Sequence, residues 1–142
     1  MRGAILANSL LAALPTLEHL KLSGCPLRVD WSNAHHPRLR SLELESAHGL
    51  PSVPLGALPA LERVVLSTFF PEPMDDGWND NLRCELDTVT GNLRFSGRLH
   101  NAAHCSVEPS LLSRTAQASF EVTGDADVVH LFKANVSEAL GR

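Results

Sequence analysis

Histidine and cysteine side chains lie close together at one place in the second half of the sequence. His100 and His104 are four residues apart, and Cys105 follows directly. With Cys84 they offer the imidazole and thiol groups that a structural metal needs, and with Glu108 they could form a catalytic pocket. Four ligands at a recognised spacing are missing, as is any Cys-x-x-Cys pair, so we expect no metal and no cofactor.

The segment from Phe69 to Asn81 is rich in Pro, Asp and Asn, which predicts a loop. Its aspartates do not follow the D-x-[DN]-x-[DN]-G pattern of a calcium-binding loop, so we expect no calcium. Phe70 and Trp78 are of the type that anchors protein interfaces, and they are candidate partner-binding residues. The alternative is that Phe69 and Trp78 fill the core beneath the loop.

No other catalytic signature is present. The sequence lacks the G-x-S-x-G elbow, the Walker loop and the G-x-G-x-x-G fingerprint, so we expect a protein that is not an enzyme. The net charge of −4 does not indicate the basic surface that binds nucleic acid or an anionic membrane. The three cysteines form an odd number without close pairs, which favours a reduced chain in the cytoplasm or the nucleus.

The N-terminal stretch from Ala4 to Leu14 has the length of a signal-peptide core. Asn8 and Ser9 interrupt it, and one positive side chain, Arg2, precedes it. We therefore predict an amphipathic turn or a short helix that leads into the first strand. Nothing reaches the ~18 apolar residues needed to span a bilayer, so we expect a soluble protein.

The first half of the sequence repeats itself every 22 residues, and this period determines the predicted fold. In each copy a proline precedes the pattern Leu-x-x-Leu-x-Leu, with one Val replacing Leu, and the last two apolar positions have the period of a strand with one buried face. Such a strand cannot bury its apolar side alone, so the copies are expected to stack into a parallel sheet. The matching positions are Pro15, Pro37 and Pro59; Leu17, Leu39 and Leu61; Leu20, Leu42 and Val64; and Leu22, Leu44 and Leu66.

The segment Leu17-x-x-Leu20-x-Leu22-x-x-Cys25-x-Leu27 matches the leucine-rich-repeat consensus at every position, and the chain resembles that family. The stretches Leu22–Leu27 and His36–Leu44 also resemble the repeat region of plant F-box/leucine-rich-repeat proteins, over about the first half of the chain. That resemblance implies that the chain is the substrate-recognition part of a receptor of a cullin-type ubiquitin ligase, although no F-box segment is visible. Ala47 and Phe69 replace the consensus Asn or Cys, so irregular loops are expected after the second and third strands.

We predict an α/β fold, a leucine-rich-repeat solenoid with a curved parallel sheet, as a fragment or short array with an irregular C-terminal half. The chain is expected to be one domain, with clear repeats over 15–80 and degenerate repeats or a cap over 81–142. A hairpin in the region Asn92–Leu99 is the alternative to a further repeat there. The later elements are predicted as a fourth strand Arg83–Asp87, a fifth His104–Glu108, a sixth Ser119–Thr123 and a closing helix Asn135–Leu140.

Alternate side chains of the predicted strands point to the concave face, where a partner protein is expected to bind. This face is mixed in charge but locally acidic around Arg63, which suits a partner with Lys or Arg. A merely solvated face is the alternative. The predicted columns are His19, Ser41, Arg63 and Arg83; Lys21, Glu43, Val65 and Glu85; and Ser23, Glu45, Ser67 and Asp87.

These patterns together predict a protein-interaction module with an unidentified protein partner. One alternative is the repeat region of a larger enzyme or bacterial effector whose catalytic part lies elsewhere, and another is a structural remnant without a partner. A pocket joining His100, His104, Cys105 and Glu108 would favour an enzyme. The predicted partner-binding residues are His19, Lys21, Glu43, Glu45, Arg63, Val65, Arg83, Glu85 and Asp87, with Phe70 and Trp78 in the loop.

Overall fold

Eight strands and two helices lie in the part of the chain that the computed structural model describes, residues 4–6, 16–24, 28–30, 36–70, 79–104 and 109–141. Single 3-10 turns lie at Leu55–Ala57 and Ala102–His104. The strands are β1 (Ala4–Leu6), β2 (His19–Gly24), β3 (Arg28–Asp30), β4 (Ser41–Ala47), β5 (Arg63–Phe69), β6 (Asn81–Asp87), β7 (Asn92–Leu99) and β8 (Gln117–Gly124), and the helices are α1 (Pro109–Leu112) and α2 (Ala126–Ala139).

Six of the strands form one sheet in the order β2-β4-β5-β6-β7-β8. The strands β2, β4 and β5 are parallel, and their hydrogen-bonded register is the 22-residue repeat itself, since His19 pairs with Ser41 and Ser41 pairs with Arg63. The chain therefore has a sheet-rich, solenoid-like fold with one long helix near its C-terminal end.

The apolar positions of the repeat form the core on one side of this sheet. Leu42 and Leu44 of β4 and Val64 and Leu66 of β5 are all 0% exposed. Burying a side chain of this size stabilises the fold by about 1.5–3 kcal/mol relative to leaving it exposed. Between β4 and β5 the chain makes only the short 3-10 turn, which contributes the buried Leu55. This connection contains no α-helix, so the strand–helix alternation of the predicted α/β class is absent there.

Strand β6 runs antiparallel to β5, which corrects the predicted fourth parallel repeat at Arg83–Asp87. The connection from Phe70 to Asp80 is shorter than the connection from His48 to Glu62, and a parallel step needs about a dozen residues or more to cross the back of the sheet. The chain therefore returns directly along β5. Because a period-two pattern has no direction, Cys84 and Leu86 still face the core, both 0% exposed.

A tight turn then joins β6 to β7 in a β-hairpin, so Asn92–Leu99 is a single strand of this hairpin and does not itself contain one. The Asp87 carboxylate accepts hydrogen bonds from the backbone N–H groups of Val89 and Thr90 at 2.9 and 3.2 Å. Gly91 completes the turn with a φ of 78°, a left-handed conformation that favours glycine. The turn chemistry therefore fixes the reversal of direction.

Three phenylalanines hold β7, β8 and α2 together. Phe95 of β7 stacks on Phe120 of β8 with ring centroids 5.4 Å apart, and Phe132 of α2 meets Phe95 edge to face at 5.0 Å. The carboxylate of Asp125 accepts from the backbone N–H groups of Asp127 and Val128, which caps the start of α2. Aromatic packing thus closes the C-terminal end of the core.

The C-terminal predictions have mixed outcomes. The sixth strand at Ser119–Thr123 is confirmed within β8, which pairs parallel with β7. The closing helix is confirmed but begins earlier than predicted, at Ala126, so that it also includes the apolar residues before Asn135. The fifth strand is wrong at His104, which lies in a 3-10 turn, and residues 105–108 are outside the described residues.

The N-terminal residues Ala4–Leu6 are extended rather than helical. They pair in parallel with Arg28–Asp30 in a two-stranded sheet. The prediction of a turn or short helix is therefore wrong for these three residues, because their backbone groups bond to another segment instead. Residues 7–15 lie outside the described part of the chain.

Candidate functional site

The side of the six-stranded sheet opposite the core, here called the outward face, carries the predicted partner-binding residues. Its side chains lie in rows that cross the strands, because neighbouring strands are in continuous register. Three rows run from β2 to β8: His19, Ser41, Arg63, Asp87, Asn92 and Gln117; Lys21, Glu43, Val65, Glu85, Arg94 and Ser119; and Ser23, Glu45, Ser67, Arg83, Ser96 and Glu121.

Two of the predicted residues exchange places relative to the sequence prediction. Because β6 is antiparallel, Asp87 lies opposite Arg63 and Arg83 lies opposite Ser67. A parallel β6 would have placed Arg83 beside Arg63 and Asp87 beside Ser67. Glu85 is at the centre of the strand and keeps its predicted row in either direction, opposite Val65.

Ion pairs cross the outward face between neighbouring strands. In the first, the Lys21 ammonium lies 3.0 Å from the Glu43 carboxylate. Arg63 donates to Oε1 of Glu85 from Nε at 2.8 Å and from Nη2 at 2.5 Å. These pairs are solvent-accessible, so each contributes about 0–1 kcal/mol to stability. They neutralise much of the acidity that the sequence predicts around Arg63.

A third ion pair extends the pattern to residues that the sequence prediction missed. Arg94 of β7 donates to Glu121 of β8 at 2.6 Å, and Arg98 adds another cation to the outward face. The outward position of Arg94 could have been predicted from the strict alternation of polar and apolar residues in Asn92–Phe95. The face is balanced in charge, with Lys21, Arg63, Arg83, Arg94 and Arg98 against Glu43, Glu45, Glu85, Asp87 and Glu121.

Val65 differs from the other predicted contact residues. It points outward, between Glu43 and Glu85 in the register, but it is 1% exposed. Its neighbours in the row are engaged in the ion pairs with Lys21 and Arg63. Val65 is therefore covered on the outward face, and its assignment as a direct partner contact does not fit its burial.

The most exposed apolar side chain of the face is at the end of the sheet that holds the β6–β7 turn. Val89 in this turn is 77% exposed. It borders a depression that is also lined by Glu62, Arg63, Glu85 and Asp87. An aliphatic side chain beside charged groups suits contact with another polypeptide, because such interfaces combine apolar and polar contacts.

A second polar cluster lies away from the outward face, around the buried carboxylate of Asp80. Asp80 is 0% exposed, and it accepts hydrogen bonds from the backbone N–H groups of His100 and Asn101 at 2.9–3.0 Å. The Nδ1 atoms of His100 and His104 lie 3.1 and 2.8 Å from its two oxygens. An ionised carboxylate only accepts, so each of these ring nitrogens carries the proton.

The hydrogen bonds to Asp80 determine its protonation state. Burial by itself would raise the pKa of the Asp80 carboxyl. The backbone of His100, the ring of His104, the backbone of Asn101 and the ring of His100 all donate to the charged form, and together they hold the pKa below its ordinary value. The cluster thus ties the 3-10 turn after β7 to the residue just before β6.

The same cluster determines the position of Phe70. Its backbone N–H donates to the Asp80 carbonyl at 2.9 Å, and its ring stacks on the His104 ring with centroids 3.6 Å apart. Phe70 is therefore only 8% exposed, so little of its side chain is available as an anchor for a partner. Trp78, the other loop candidate, lies outside the described residues.

The reactive pocket considered from the sequence is brought together only in part. His100 and His104 do converge, but on Asp80, an aspartate for which the sequence predicts no role. Cys84 is instead 0% exposed in the core, and Cys105 and Glu108 are outside the described residues. Among the residues that the structure describes, no group of three or more His, Cys, Asp or Glu side chains could hold a metal ion.

Comparison with known proteins gives no relative. No family model, no curated protein and no solved structure matches this chain. None of the helices that the structure describes has the length and hydrophobicity of a membrane span. The outward face of the sheet is therefore the candidate site.

Proposed function

We propose that this chain is a protein-interaction module that binds a partner protein on the outward face of its sheet. One observation carries this proposal: charged side chains of both signs lie on the outward face in register rows that cross the six neighbouring strands. Such a pattern gives a partner a fixed set of complementary charges, which govern association rate and specificity. Because the face is balanced in charge, the expected partner surface is mixed rather than basic.

The geometry of the Asp80 cluster fits a structural role better than a catalytic one. Its carboxylate is 0% exposed and is enclosed by the donors that fix its charge. Catalysis by a carboxylate and a histidine needs a group that can reach a substrate and exchange a proton with it. The two histidines instead direct Nδ1 protons into the protein, toward Asp80. Binding on the outward face is therefore the function that we propose.

A more specific proposal is that the chain recognises substrates for a ubiquitin ligase, in the cytoplasm or the nucleus. It rests on the resemblance of Leu22–Leu27 and His36–Leu44 to plant F-box/leucine-rich-repeat proteins. The 22-residue register of β2, β4 and β5 supports the repeat part of that resemblance. The ligase part would be tested by co-purification of ubiquitin-ligase subunits with the chain.

The test of the outward face uses a variant that inverts its charges and keeps its ion pairs. The variant exchanges Lys21 with Glu43 and Arg63 with Glu85, as Lys21→Glu, Glu43→Lys, Arg63→Glu and Glu85→Arg. Net charge and cross-strand attraction are retained, so circular dichroism should show an unchanged fold. A matched control exchanges charges on α2, as Lys133→Glu and Glu138→Lys.

The measurement is quantitative affinity capture from lysate with the wild-type chain and both variants. A partner captured by wild type and by the α2 control, and lost from the inverted variant, would support the proposal and identify the partner. Equal capture by all three chains would overturn the assignment of binding to this face.

A further inference from the structure

The third row of the outward face has a composition unlike the other two. We call it the serine row: Ser23, Glu45, Ser67, Arg83, Ser96 and Glu121, one residue from each of the six strands. Serines alternate with charged residues along its whole length. Each charged side chain before the last is therefore flanked on both sides by a short hydroxyl side chain.

This alternation leaves two charges without partners among the residues that the structure describes. Glu45 and Arg83 are exposed, and neither has an ion pair or side-chain hydrogen bond within the described part of the chain. The other charged residues of the outward face are engaged with neighbours or in the β6–β7 turn. Since strands are about 4.8 Å apart, Glu45 and Arg83 are separated by about 9.6 Å, with Ser67 between them.

We infer that the serine row binds a polyproline II segment that carries a Lys or Arg and, three residues away, an Asp or Glu. This inference rests on the proposed function. Polyproline II has three residues per turn and a rise of about 3.1 Å, so side chains three apart point the same way at a spacing of about 9.3 Å. That spacing matches the separation of Glu45 and Arg83. A segment lying across the strands would place its cation on Glu45 and its anion on Arg83.

The serines suit the backbone of such a segment. Polyproline II has no internal hydrogen bonds, so its carbonyl oxygens are available to accept. The half-buried hydroxyls of Ser67 and Ser96, on either side of Arg83, can donate to them. Their small size leaves room for proline rings between the charged positions. A proline-rich segment also loses little conformational entropy on binding, which matters where each contact is weak.

The probe is a synthetic peptide, Pro-Pro-Lys-Pro-Pro-Glu-Pro-Pro, titrated into the isotope-labelled full chain and followed by amide chemical shifts. Millimolar affinity is measurable in this way. The matched control peptide has the same composition with Lys and Glu two residues apart, where a polyproline II helix directs them to different sides. We expect saturable shifts at Glu45, Ser67 and Arg83 with the first peptide and at least fivefold weaker binding of the second.

Charge exchange in the protein tests the orientation. Glu45→Lys and Arg83→Glu should each weaken binding of the first peptide at least fivefold. The double variant should restore binding, because the same peptide turned end to end then meets complementary charges. The exchange Lys133→Glu with Glu138→Lys on α2, away from the outward face, is the control and should leave peptide binding within twofold of wild type.

The outcomes separate this inference from the proposed function. Equal affinity for the two peptides, or a double variant as weak as the single ones, would overturn the polyproline II inference. The proposed function would still stand if a captured partner were lost from the variant with inverted ion pairs. Peptide binding confined to the expected spacing, with recovery in the double variant, would support the inference even before a natural partner is known.

Discussion

The ring Nδ1 of His104 lies 2.8 Å from Oδ2 of Asp80, although the two residues are far apart in the sequence and Asp80 is fully buried. This contact joins the turn after β7 to the start of β6. The His104 ring also stacks on Phe70, just after β5. One carboxylate therefore ties together the connections at this end of three neighbouring strands.

Replacing Asp80 with Asn should destabilise the fold by about 3 kcal/mol. Both carboxylate oxygens accept hydrogen bonds, and an amide NH2 group in place of one oxygen would face donors that then remain buried and unpaired. Urea unfolding followed by circular dichroism measures the loss. The control Asp127→Asn, at an exposed position in the first turn of α2, should cost only about 0.3–1 kcal/mol. Similar losses in the two variants would contradict a central role for Asp80.

Acid should remove the contribution of Asp80 in a defined direction. The pKa of this carboxyl is lower in the folded chain than in the unfolded one, so its stabilisation is complete above the unfolded value of about 3.9. It is lost as the pH falls through the folded pKa. The free energy of unfolding should therefore fall more steeply below about pH 4 for wild type than for Asp80→Asn. Urea titrations at a series of pH values would show parallel curves if Asp80 did not have a lowered pKa.

The repeat explains why part of the fold could be predicted. Leu42 and Val64 occupy equivalent positions in successive copies, and a strand that buries one face must keep equivalent residues in register. The offset between copies therefore gives both the pairing of β4 with β5 and the identity of the core columns. It gives no information on segments that leave the repeat.

The direction of β6 and the Asp80 cluster could not be predicted for different physical reasons. The alternation around Cys84 is the same read in either direction, so only the length of the preceding connection indicates a hairpin. Asp80 is an ordinary aspartate in a polar loop until tertiary structure brings His100 and His104 to it. Its burial depends on residues that are close only in the folded chain.

The β6–β7 turn should be sensitive to a single methyl group at Gly91. An alanine there would need a left-handed backbone, and its Cβ would lie 2.7 Å from the Cβ of Ala116. We expect Gly91→Ala to destabilise the chain by about 1–3 kcal/mol. Gly56→Ala is the control, because Gly56 has a negative φ and open space around its Cβ position, so its effect should stay within about 1 kcal/mol. Thermal unfolding of both variants tests this, and equal melting temperatures would contradict the turn geometry.

The Arg63–Glu85 pair should make a small and salt-sensitive contribution. A double-mutant cycle of Arg63→Ala and Glu85→Ala should give a coupling energy of about 0.5–1 kcal/mol, because two guanidinium N–H groups donate to one carboxylate oxygen but the pair is solvent-accessible. Repeating the urea titrations in 1 M NaCl should reduce the coupling, since the screening length is then about 3 Å. A coupling energy of zero at low salt would show that Arg63 and Glu85 do not form a stable ion pair beside Val65.

The direction of β6 can be tested by cross-linking, because the two possible directions bring different residues together. In the antiparallel sheet Ser67 lies opposite Arg83, with Cβ atoms about 4.5–5.5 Å apart. Asp87 is then four residues further along β6, about 14 Å away. A parallel fourth repeat would reverse these distances. The double variants Ser67→Cys with Arg83→Cys and Ser67→Cys with Asp87→Cys are therefore matched tests.

Each double variant would be oxidised under native conditions, and the linked residues identified by peptide mapping without reduction. A disulfide forms readily only when the Cα atoms are about 4.4–6.8 Å apart, so the first variant should cross-link and the second should not. The buried native thiol at Cys84 faces the core and should not compete with the outward pair. Efficient cross-linking between positions 67 and 87, with none between 67 and 83, would instead favour the parallel repeat and would return Arg83 to the row of Arg63. The serine row would then lose Arg83, so this experiment also tests the geometry on which the polyproline II inference depends.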